Sequence, residues 1–152
     1  MVCVSGGELR PAGRAPSPCL HIGSIELDEA VENVDARLGS PWKTVETERG
    51  RTVRVYPLHG DAEALPYLAV TIEEGRVAAI QLSGEETPDP YGFSGLRLGD
   101  PARQLKEILG PAGAKERLEN TDATLLSYLP IPVSIEIANE RIVSIKIWRR
   151  HS

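Results

Sequence analysis

The chain has 152 residues, 41% of them hydrophobic and 26% charged, enough for one good core or two small ones. Its formal net charge is −5 and its only basic cluster is Arg149-Arg150-His151, which argues against nucleic acid as a partner, since neutralising phosphates takes a basic patch. No run approaches the ~18 apolar residues that cross a bilayer, so no membrane insertion is expected; the chain reads as cytoplasmic as written, and as periplasmic or secreted if a leader was removed.

Residues 1–21 are rich in Gly, Pro and Ser and read as a flexible N-terminal segment. They hold both cysteines, Cys3 and Cys19. A bridge between these two would close a loop outside the expected core and add little to the fold; free thiols are the other reading. With no His cluster nearby they do not form a zinc site.

A first helix is expected after Asp28 or Glu29, either of which can act as its cap, with Val31, Val34 and Leu38 at helical spacing. Gly39 suits a left-handed helix end and Pro41 blocks continuation. A weak strand at 42–48 leads into an Arg49-Gly50-Arg51 turn. Strands follow at 52–56, 68–73 and 76–82, the last two joined by a tight Glu74-Gly75 turn. Residues 85–95 resist both helix and strand. A second helix is expected from Asp100-Pro101 through Ala102, Leu105, Ile108 and Leu109, ending at Gly110-Pro111. Strands then read at 114–118 (weak), 123–128, 133–138 and 141–149, with an Asn139-Glu140 turn between the last two.

The second series repeats the first. Ile25 and Leu27 fall on Leu96 and Leu98 at an offset of 71, as do Val34 on Leu105, Leu38 on Leu109 and Gly39 on Gly110. Tyr56 falls on Tyr128 at an offset of 72, and Val77, Ile80 and Leu82 fall on Ile142, Ile145 and Ile147 at 65. The drop in offset places an insertion in the first copy between Tyr56 and Leu68. The expectation is an α+β fold of two tandem repeats, each a helix or helix pair packed on a 3–4-stranded antiparallel sheet. Repeat 1 spans 22–84, a linker 85–92 and repeat 2 93–152.

Strand alternation divides the side chains between two faces. Leu68, Val70, Ile72, Ala78, Ile80 and Leu82, with Val133, Ile135, Ile137, Val143, Ile145 and Ile147, are expected under the helices. Arg54, Tyr56, Thr71 and Gln81, with Tyr128, Ser134, Glu136, Ser144, Lys146 and Trp148, are expected on the opposite face. Tyr, Trp, Arg and Lys among small polar residues have the composition of a binding surface. A plain solvated sheet face uses many of the same residues for strand propensity. The insertion adds Leu58, His59, Asp61 and Tyr67 as loop candidates, because a loop present in one copy alone is where a duplicated scaffold can acquire function.

The block running from Ile25-x-Leu27-Asp28 to Leu38-Gly39-Ser40-Pro41, and again from Leu96-x-Leu98-Gly99 to Leu109-Gly110-Pro111, resembles the units of β-lactamase inhibitor protein-like folds. It is also similar to the small lipoprotein of the outer-membrane barrel-assembly machinery. The resemblance covers most of residues 22–149 and implies helices on antiparallel sheets in a non-catalytic domain that binds other proteins. Those families are exported and the inhibitor carries disulfides, whereas neither unit here contains a cysteine.

Little in the sequence points to chemistry. His21, His59 and His151 lie far apart, and no His-x-x-x-His, His-Glu-x-x-His or Cys-x-x-Cys spacing occurs, so neither a metal nor a cofactor is expected. His59-Gly60-Asp61 has the residues of a general acid/base pair, but a glycine turn with polar flanks looks the same. Ser5-Gly6-Gly7 lacks the Gly-Lys-Ser/Thr of a phosphate loop. The expected function is therefore a non-enzymatic protein-binding or scaffold module, inhibitor-like, using the open sheet face and the 58–67 loop, with another protein as partner. A small-molecule carrier or enzyme with a pocket between the repeats is one alternative. A self-associating homo-oligomeric module is another.

Overall fold

The computed structural model describes residues 20–58, 66–84, 91–119, 121–129 and 131–149. The elements in chain order are β1 (His21–Ile22), β2 (Ile25–Glu26), α1 (Val31–Leu38), β3 (Lys43–Glu46), β4 (Arg51–Pro57), β5 (Tyr67–Glu73), β6 (Arg76–Ser83), α2 (Gln104–Leu109), β7 (Ala114–Arg117), β8 (Thr124–Ser127), β9 (Val133–Ala138) and β10 (Arg141–Trp148). A short 3₁₀ turn, Glu48–Gly50, joins β3 to β4. The strands lie close to where the alternation put them. Both hairpin turns have paired positive φ angles, 54° and 76° at Glu74-Gly75 and 52° and 62° at Asn139-Glu140. That backbone matches the twist of the strands it joins.

The arrangement of these elements overturns the expectation of two helix-on-sheet repeats. β3 to β10 form one continuous antiparallel sheet of eight strands in the order β3-β4-β5-β6-β10-β9-β8-β7, and β1 and β2 form a separate two-stranded hairpin. The fold is mostly antiparallel β. β6 and β10, each expected to close its own sheet, pair instead with each other from Ser83 opposite Ser144 to Ala79 opposite Trp148. Their backbone donors and acceptors are thereby satisfied in the middle of the molecule. The helices have eight and six residues, too few for either to cover a sheet alone. Cover comes as well from Leu20, Ile22, Ile25 and Leu27 around the β1–β2 hairpin and from Phe93, Leu96 and Leu98 before α2.

Both seam strands carry a bulge. The β5–β6 register slips between Thr71 and Ile72, leaving Ala78 as the extra residue, and the β9–β10 register slips between Ile142 and Ser144, leaving Val143 extra. The freed carbonyls prolong the seam: Ala78 accepts the Arg149 N–H at 2.9 Å and Val143 accepts the Gly84 N–H at 3.0 Å. Each bulge also shifts the alternation at the start of its strand. Val77 and Ile142 are fully buried in the core, and Val143, expected there, is half-buried.

The core lies on one side of the sheet. Its central row runs Tyr56–Leu68–Leu82–Ile145–Ile135–Leu126 across six strands. Val34 of α1 and Leu105 and Leu109 of α2 pack onto that side. Each fully buried aliphatic side chain contributes roughly 1.5–3 kcal/mol.

The helix starts differ from the capping expectation. α1 follows Ala30 and α2 follows Arg103, neither with a side-chain cap bond. The acids bond backward instead: Glu29 Oε2 accepts the Glu26 N–H at 3.0 Å and Asp100 Oδ2 accepts the Arg97 N–H at 2.9 Å. They fix the turns that approach the helices. The helices stop at the expected glycines, but Gly39 (φ 71°, ψ −152°) and Gly110 (φ 77°, ψ −166°) combine a positive φ with an extended ψ in place of the left-handed helical conformation expected there.

Candidate binding surface on the open face of the sheet

The face opposite the core is defined by cross-strand register. One row reads Lys43–Val55–Ala69–Gln81–Lys146–Ser134–Ser127–Ala114. A second reads Val45–Val53–Thr71–Ala79–Trp148, and a third Pro57–Tyr67–Ser83–Ser144–Glu136–Leu125–Glu116. The face is graded, with valines and alanines on β3, β4 and β5, and serines, Lys146 and Glu136 toward β9 and β8.

A polar cluster sits at the seam. Gln81 Nε2 donates to Ser144 Oγ at 3.1 Å and to Ser83 Oγ at 3.4 Å, and the two hydroxyls are 3.3 Å apart. Ser144 is only 3% exposed, so this cluster satisfies its own buried polar groups. The apolar side is more open: Val45 is 40% exposed, and Val53 and Val55 are half-buried without belonging to the core.

The candidate residues from the sequence divide among several places. Tyr67, Glu136, Lys146 and Trp148 lie on the open face, Lys146 exposed and the others half-buried. Arg54 and Tyr56 do not. They stand opposite Val70 and Leu68, on the core side of the sheet. Arg54 pairs there with Asp35 of α1, and Tyr56 is 5% exposed within the core. Tyr128 is buried as well, and burial pushes its phenol above the ordinary pKa of 10.0. Leu58 packs partly against the core. His59 and Asp61 lie outside the described residues, as do Cys3, Cys19 and His151.

β4 is therefore turned over relative to its sequence pattern. Thr52-Val53-Arg54-Val55-Tyr56 alternates as though the valines faced inward. In the fold Tyr56 buries the larger apolar surface, and Arg54 lies along the core side with its head group on Asp35. The valines are left on the outer face. Val45, Val53 and Val55 are the surface residues that sequence reasoning missed, and no local signal marks them, because strand polarity here is set by tertiary packing.

Among the described residues, no group of three or more His, Cys, Asp or Glu is placed to hold a metal ion. A groove of about 430 Å³ lies at the β7–β8 turn, lined by Arg117, Leu118, Glu119, Thr121 and Asp122, away from the β6–β10 seam. Among the described residues, no helix is long and apolar enough to cross a membrane.

No family model and no curated protein matches the sequence. Solved structures do resemble the fold. A DUF4309 family protein (YjgB) from Bacillus subtilis superposes with a TM-score of 0.53 at 17% identity, over 80% of this chain and 78% of that one. An extracellular protein containing a SCP domain from Bacillus anthracis gives 0.55 at 11% identity, over 92% of this chain and 49% of its own. A cysteine-rich secretory protein from Staphylococcus aureus gives 0.54 at 8% identity, over 82% and 44%. The chain thus spans about half or less of the last two proteins. At these identities the likeness is one of fold.

Proposed function

We propose that this protein is a non-enzymatic binding module that docks another protein on the open face of its sheet. The observation that carries the reading is the outward stripe Val45–Val53 with Val55 beside it. Contiguous apolar side chains left out of the core of a β-protein mark an interaction surface more often than isolated ones do. Trp148, Lys146 and Glu136 on the same face supply an aromatic anchor and charges that orient a partner. The seam between the two halves is filled by a backbone ladder, so the surface offered is broad and shallow, suited to a macromolecule. Two of the fold neighbours are described as extracellular or secretory, which supports a setting outside the cytoplasm for this module.

The test is affinity capture with the wild-type chain beside a Val53→Lys/Val55→Lys variant and a Trp148→Ala variant. The wild type is expected to recover a defined protein that both variants lose, with their urea midpoints nearly unchanged. Equal recovery by the folded variants refutes the assignment of the face. Sedimentation at several concentrations checks the exposed valines for a second copy of the chain: a valine-dependent dimer replaces the heterologous partner in this reading.

A further inference from the structure

The seam ends in charged groups drawn together from five segments. Arg149, just past β10, donates from Nη1 to Asp28 Oδ1 and from Nη2 to Glu73 Oε1, each at 3.0 Å. The other oxygen of Glu73 takes Nε of Arg51 at the start of β4. Arg76, opposite Glu73 in the β5–β6 register, donates to the Asp28 carbonyl at 2.9 Å. Asp28 is held at φ 68°, its N–H on the Val77 carbonyl at 2.7 Å. Glu74 follows Glu73 in the exposed turn. The two Arg149 pairs tie the end of β10 to Asp28 and Glu73, both from the part of the chain that precedes β6.

The residue before Arg149 is Trp148, which lies on the open face with Tyr67. Its strand ends here, with the Trp148 N–H on the Pro132 carbonyl at 3.2 Å and the Arg149 N–H on the Ala78 carbonyl at 2.9 Å. Strand ends open readily unless something ties them down.

We propose that Arg149, Glu73 and Asp28 form an acid-sensitive clasp that fixes the end of β10, and with it the position of Trp148, and that protonation of Glu73 releases it. Glu73 is the pivot, because it bridges Arg149 and Arg51 and its side chain is 20% exposed, whereas that of Asp28 is 58% exposed. Hydrogen bonds from Arg51 and then Arg149 hold the Glu73 carboxyl below its ordinary 4.5. The clasp is thus complete above the ordinary carboxylate range and is lost as pH falls through the lowered folded value. The consequence for partner binding rests on the open-face reading; the clasp does not.

The experiment is an NMR pH titration of the intact chain, following the Glu73 carboxyl, the Trp148 indole N–H and the exchange protection of the Arg149 amide. The indole and amide are expected to shift in step with Glu73. In Glu73→Gln the Arg149 amide should lose protection roughly three- to tenfold at neutral pH and the acid step should vanish, while the Leu126 amide keeps its protection. Arg149→Gln should abolish the same step and covers the case of a poorly folded Glu73 variant. A step that persists in either folded variant, or unchanged Arg149 protection, overturns the clasp. Partner capture reads the surface separately: a step that disappears with binding retained leaves the clasp standing and removes Trp148 from the interface.

Discussion

Replacing Ile145 with Ala tests whether the sheet is one cooperative body. Ile145 is fully buried at the seam, opposite Leu82 on β6 and Ile135 on β9, both also fully buried. Neighbours fixed in two backbone ladders have little freedom to collapse into the space left by the lost carbons, so the cost should sit in the upper part of the range, about 3–5 kcal/mol. At a urea slope of about 2 kcal/mol per molar, the midpoint should fall by roughly 2 M. The two tryptophans allow the halves to be read apart. With Trp148→Phe the remaining Trp42 reports on the β3–β4 end, where its N–H bonds the Val55 carbonyl at 3.0 Å; with Trp42→Phe, Trp148 reports on β10. One continuous sheet requires both probes to lose the same midpoint when Ile145→Ala is added. A Trp42 transition that stays put while the Trp148 transition falls would show two independent units and refute the argument.

Gly84 should not tolerate a side chain. At φ 144° a Cβ would lie 2.8 Å from Pro66 Cα, so Gly84→Ala should lower stability in urea by about 1–3 kcal/mol, whereas a change within 0.5 kcal/mol would mean that the contact relaxes freely. Tyr128 should titrate late: its folded phenol lies above the unfolded value near 10, so the stability from keeping it neutral is whole below pH 10 and drains away as pH rises toward the folded value. Ultraviolet-monitored alkaline unfolding should show Tyr128→Phe losing less stability over that window than the wild type, and identical profiles would contradict the assignment.

The positions of the elements were legible along the chain, though the fold class was not. Hairpin turns and helix stops are local events, and Glu74-Gly75, Asn139-Glu140, Gly39 and Gly110 declare them through backbone conformations that few residues adopt. The union of the halves was not legible. A strand that ends its own sheet and a strand that pairs across a seam have the same alternation, and Gln81 and Lys146 give no hint that they will face one another. The bulges at Ala78 and Val143 were hidden for a related reason: Val77-Ala78-Ala79-Ile80 is apolar throughout and carries no period to break. For the surface, Lys146, Glu136 and Trp148 could be placed from alternation alone, whereas Tyr67, expected in the loop of the insertion, is the first residue of β5. Tyr56 and Tyr128 were misplaced because aromatic residues satisfy both a core and an interface, and the choice is made by the strand next door.

The outermost strands have a consequence for solubility. β3, Lys43-Thr-Val-Glu46, and β7, Ala114-Lys-Glu-Arg117, are four residues long and exposed throughout. Each presents free backbone groups that a neighbouring molecule is able to extend into a fibril. Short length limits the hydrogen bonds a ninth strand would gain, and the lysines, arginine and glutamates would have to be desolvated to gain them. A molecule with a single large sheet thereby stops growing at eight strands, its two ends closed to further pairing by their own brevity and charge.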